Sequence, residues 1–166
     1  MADDAAAEST LWADCLVPEP DRSPVFSPLG EARYALGLET IYEGYLVHYG
    51  RPRLFAPPDD DTALLLGDYL YAHGVARISA LRDVAAVADL SELISLCSQL
   101  RAEEKDGDGS LWAATAALLG RRALDEPFAA LRLRLDPAPL DAAARAAAGD
   151  EAVDAALAAH AVRRVR

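Results

Sequence analysis

Three consecutive aspartates, Asp59, Asp60 and Asp61, are the densest run of metal-ligating side chains in the sequence. Hard cations such as Mg²⁺ take oxygen ligands, often carboxylates together with substrate phosphates. Consecutive residues on a helix point about 100° apart, so at most two of the three meet one ion. Thr62 and an apolar stretch follow directly. An acidic run in that position is a good helix N-terminus: one aspartate caps free N–H groups and the others meet the dipole. The expectation is a helix cap, with a weak metal site as its rival.

Glu103-Glu104-Lys105-Asp106-Gly107-Asp108-Gly109 has part of the spacing of a calcium loop. It lacks the remaining alternate ligands and the terminal bidentate glutamate, and reads as a solvated, flexible loop. The histidines His48, His73 and His160 are far apart, and none has a partner at metal-binding spacing. His73 shares a helix face with Tyr69 and Arg77, which suits a hydrogen-bonded core or pocket histidine. Cys15 and Cys97 form no metal or redox pair and read as one loop thiol and one core thiol. Tyr34, Tyr42, Tyr45, Tyr49, Phe55, Tyr69, Tyr71 and Trp112 bring apolar rings whose polar atoms seek partners. They predict helix packing, or else an apolar cavity or a subunit interface. The candidate pocket or interface set is Tyr42, Tyr45, His48, Tyr49, Asp68, Tyr69 and His73.

These residues must be held by helices. Apolar positions recur at helical spacing, and period-2 alternation is absent except at LRLRL, residues 131–135, which is read as helix. The spacing predicts a short helix near 10–15 and longer ones over 28–48, 59–81, 83–101, 110–120, 125–133, 139–148 and 150–164. Pro28 suits a first helical turn, and Gly50 with Arg51-Pro52 ends that helix. Gly149-Asp150 separates the last two. The fold class is all-α, with five to seven helices in antiparallel contact. A proline-rich segment over 1–27 precedes a single helical domain over 28–166, whose last part, 122–166, is Ala-rich.

The string LLLGDYLYAHGVARI, residues 64–78, resembles the helix after the first aspartate-rich motif of trans-polyprenyl diphosphate synthases, with Gly67 and Asp68 in register. Val47-His48, Gly50-Arg51-Pro52 and Ala114 to Leu119 resemble flanking pieces of the same family. The resemblance covers about residues 30–121 and implies an antiparallel bundle like a cut-down isoprenoid synthase. Members of that family hold Mg²⁺ between two DDxxD motifs. Here Tyr49 and Gly50 follow His48, Ala114 replaces the diphosphate-binding lysine, and no second DDxxD follows. The resemblance therefore implies a non-catalytic relative acting as an interaction or regulatory subunit. Its partner would be a second copy, in a homodimer, or an active prenyl synthase, in a heteromer. The alternatives are a module that binds an isoprenoid or other lipid, and a residual Mg²⁺-dependent prenyltransferase using Asp59, Asp60, Asp61 or Asp68. No cofactor is expected unless that residual activity remains.

The 166 residues fit one domain, and a formal charge of -11 disfavours nucleic acid and anionic membrane surfaces as partners. The basic group Arg163, Arg164 and Arg166 reads as the end of a helix, where it complements the dipole. The first ten residues have neither a basic nor an apolar signal region, and no apolar run approaches roughly 18 residues. A cytoplasmic location without a membrane span is the expectation.

Overall fold

The structure, a computed structural model, describes residues 10–164. Eight α-helices follow in order: α1 Thr10–Asp14, α2 Ala35–Tyr49, α3 Asp60–Ser79, α4 Val84–Ala102, α5 Asp108–Leu118, α6 Asp125–Arg134, α7 Ala138–Ala148 and α8 Asp150–Ala161. Among the described residues there is no strand; Leu16 with Phe55 and Gly50 with Arg164 form isolated bridges. The chain is all-α, an antiparallel helical bundle. The first nine residues of the proline-rich segment, and Arg166 of the terminal basic group, lie outside the described residues.

Capping explains where α3 and α4 begin. Asp59 Oδ1 accepts from the Thr62 amide at 2.8 Å, and Asp60 and Asp61 lie in the first turn of α3. Asp83 Oδ1 does the same for the Ala86 amide at the start of α4.

Helix α2 is central and buried on nearly all sides from Gly37 to Val47. Its closest partner is α3, and glycine sets their separation. Gly37 and Gly44 on α2 face Gly74 and Gly67 on α3, in reverse order, as an antiparallel pair requires. A Cβ on Gly74 would stand 2.8 Å from the Gly37 carbonyl oxygen, and one on Gly44 would stand 3.0 Å from that of Gly67. Only hydrogen side chains permit backbones this close. On the other side of α2, Phe26, Tyr42 and Trp112 form the centre of the core. Phe26 stacks on Trp112 at 5.7 Å, and Tyr42 meets both rings edge-on at 5.0 and 5.1 Å.

Several expected boundaries differ by two residues or more. The long helix predicted from Pro28 begins at Ala35, and 3₁₀ turns occupy Ser27–Leu29 and Ala32–Tyr34. Gly30 lies extended against the Ala116 carbonyl, and Glu39 Oε1 gathers the amides of Val25, Phe26 and Ser27 at 2.9–3.0 Å. These tertiary bonds hold the segment in turns. The helix predicted from Ser110 starts two residues earlier, at Asp108. The final helix ends at Ala161 rather than 164, because the chain turns so that the Arg163 carbonyl accepts from the Arg51 amide at 2.8 Å. Among the described residues eight α-helices form, one for each segment with helical spacing, against the five to seven expected in the bundle.

Candidate functional site

The seven residues singled out by sequence fall in three places. Tyr42 and Tyr45 are wholly interior. Tyr42 Oη hydrogen-bonds His160 Nδ1 at 2.9 Å, and Tyr45 Oη donates to Asp108 Oδ2 at 2.5 Å. His48, Tyr49 and Asp68 lie along the α2–α3 seam. His48 Nε2 stands 3.3 Å from Asp68 Oδ1, and the Tyr49 carbonyl accepts from Arg101 Nη2 at 2.8 Å. Tyr69 and His73 lie on the flank of α3 nearer α1. Their side chains bond at 3.2 Å, and Trp12 rests 5.4 Å from the Tyr69 ring. Asp59, Asp60 and Asp61 are exposed at the head of α3. Among the described residues, no three His, Cys, Asp or Glu side chains are grouped to hold a cation.

Two interior networks escaped the sequence reading. The first centres on Asp108, read above as part of a solvated loop and in fact only 1% exposed. Its Oδ2 meets Tyr45, His160 Nε2 at 3.2 Å and Arg164 Nε at 3.3 Å. Burial pushes the carboxyl up, but the bonds from His160 and Tyr45 and the charge of Arg164 hold it well below the carboxylate range. An ionised carboxylate only accepts, so His160 Nε2 carries the proton facing it. Burial raises the Tyr42 and Tyr45 phenols. Both stay neutral donors at neutral pH, so the cluster organises the core around a fixed charge.

The second network joins Glu39, Glu43 and Arg53. Arg53 Nη1 reaches Glu39 Oε2 at 2.8 Å, and Arg53 Nε reaches Glu43 Oε2 at 3.0 Å. Glu43 Oε1 also accepts the Arg53 and Leu54 amides, both at 2.8 Å. The network pins the α2–α3 connection to α2. Beside it a cleft of about 340 Å³ is walled by Pro24, Ala35, Leu36 and Leu54. Both Glu39 oxygens are already engaged, so the cleft floor presents no free carboxylate. The available sequence signal was Glu39 and Glu43 at i and i+4 within an otherwise apolar helix. Buried charges need partners, and Arg51 and Arg53 were the nearest cations in sequence.

The outward face of α3 is different in kind. Its inner side, Leu66, Gly67, Leu70, Gly74 and Ile78, is buried. Its outer side carries Leu64 and Leu65, 55% and 57% exposed, then Ala72 and Ala76. The outer side of α4 also carries small residues, Ala88, Ser91, Ser95 and Ser98, all exposed. Asp61 and Asp68, both exposed, bracket the two leucines. Chemically this face can bury apolar area against another surface. No helix among the described residues is long and apolar enough to cross a membrane. No family model, curated protein or solved structure matches this chain.

Proposed function

We propose that this protein is a non-catalytic relative of the isoprenoid synthases. It acts through protein contact, as a small interaction or regulatory subunit beside an active polyprenyl diphosphate synthase. The observation that carries the proposal is the adjacent pair Leu64–Leu65, each more than half exposed on the outer face of α3. Covering the exposed half of two leucines contributes roughly 1 kcal/mol each. The small side chains of Ala72 and Ala76 let a partner helix approach closely enough to add packing area. Asp61 and Asp68 favour a partner whose apolar seat has a basic rim, and they disfavour two copies meeting leucine to leucine. That preference selects the heteromer over the homodimer. We place the protein in the cytoplasm beside that enzyme. The resemblance over residues 30–121, the absent first DDxxD after His48, and Ala114 in place of a lysine support the class of partner.

The test is size-exclusion chromatography of the purified protein with a polyprenyl diphosphate synthase from the same genome, alongside analysis of product chain length. A co-eluting complex, weakened about tenfold or more by Leu65→Glu, is the expected result. Failure to co-elute, with product length unchanged, would refute the proposal.

A further inference from the structure

The chain holds 27 acidic and 16 Lys or Arg residues, so a surface where arginines outnumber carboxylates stands out chemically. One lies where the α3–α4 turn meets the α5–α6 turn. Arg33, Arg82 and Arg122 line a shallow depression of about 380 Å³, with Asp83 and Gly120 among its other walls. Three arginines and one acidic residue are among its walls.

That carboxylate is already committed. Asp83 caps the Ala86 amide, accepts from Tyr34 Oη at 2.6 Å and stands 3.4 Å from Arg33 Nη2. The Tyr34 hydroxyl and the amide bonds lower its pKa, so it stays ionised and spoken for. Arg33 divides its charge between Asp83 and Glu31. Arg82 and Arg122 are exposed, and their side chains have no ion pair or hydrogen bond among the described residues. Their backbones are fixed at φ of 59° and 54°, each closing the turn after a helix. The first residues of α4, Val84 and Ala85, also border the depression, so the positive end of that 19-residue helix faces it. Leu81 and Val84 stand at the same rim, 41% and 80% exposed.

We infer that this depression binds a phosphate-type oxyanion attached to a partly apolar molecule. Guanidinium forks match phosphate oxygens in pairs, and the leucine and valine at the rim suit the non-polar part of a phosphate ester or of a lipid bearing a phosphate headgroup. The end of α3 beside the site is about 22 Å from Leu64–Leu65, at 1.5 Å per residue. The site therefore works independently of the partner face.

Amide chemical shifts of the intact protein, followed while inorganic phosphate replaces chloride at constant ionic strength, test this directly. A parallel arm measures sedimentation with phosphatidylglycerol vesicles and with phosphatidylcholine vesicles. The expected result is saturable shifts confined to residues 81–85 and 120–122, or retention by the anionic vesicles alone. The first outcome identifies a soluble phosphate ester and the second a lipid headgroup. In either case Arg82→Gln and Arg122→Gln should each weaken binding about tenfold, with circular dichroism and melting unchanged. The inference is overturned if phosphate shifts these amides no more than chloride does and neither vesicle retains the protein. Binding that survives in the double variant also overturns it.

Discussion

Asp108 shows how one carboxylate can organise an interior. It lies at the head of α5, yet its partners come from α2, from α8 and from the turn beyond α8. Deleting it strands the Tyr45 hydroxyl and the His160 ring N–H without an acceptor. Removing one member of a buried ionic group costs about 3–5 kcal/mol. Asp108→Ala should lose stability on that scale in urea unfolding, and Asp108→Asn, which keeps an acceptor oxygen, should lose clearly less. Equal losses would mean that the negative charge, rather than an acceptor oxygen, is what the site supplies. Little of this was legible beforehand. An aspartate between two glycines in an acidic stretch reads as solvent-facing, and nothing local shows that His160, 52 positions away, folds onto it.

Among the elements, the α2–α3 pair is the one most constrained by single residues. Seven positions separate Gly37 from Gly44, and seven separate Gly67 from Gly74. Each pair therefore lies on one helix face two turns apart. Gly67 drew notice above as part of a family-like string, and here it also has a plain packing role beneath the His48 ring. Gly74→Ala would press a methyl group onto Ile41 and the Gly37 carbonyl. Overpacking of this kind costs about 1–3 kcal/mol, against a helix-propensity gain of about 1 kcal/mol. A net loss in thermal unfolding is the expected outcome. Gly74→Ala melting at or above the parent temperature would show that the helices can move apart at no cost. The equal spacings could be read from sequence. That the two pairs face each other could not, because spacing within a helix carries no information about which helix it meets.

At the scale of the whole molecule, acid sensitivity follows from groups whose pKa falls on folding. Burial lowers His48, against the opposing charge of Asp68. A depressed histidine binds its proton less readily in the folded state than in the unfolded one. Its contribution is therefore complete above about pH 6.5 and is lost as pH falls below that value. Asp108 is held low as well, as are Asp21, Asp59 and Asp83 through their hydrogen bonds. Their contribution is present above about pH 4 and disappears as pH falls further. Stability measured by urea unfolding should thus decline in two stages on acidification. His48→Gln should flatten the first and leave the second. An unchanged first stage in that variant would assign it to another group.

The all-helical class, the capping of α3 by one of its three leading aspartates and most helix boundaries were settled by local sequence, because periodicity, capping and turn chemistry act over a few residues. The tertiary structure alone decided which charges are buried and which apolar residues stay outside. Asp108, Glu43 and Arg53 became interior, Leu64 and Leu65 remained on the surface, and Pro28 entered a 3₁₀ turn instead of a long helix. Each of these outcomes depends on contacts between distant segments. Burying a charge is tolerable only when folding brings a partner to it, and that partner's position is a property of the assembled bundle.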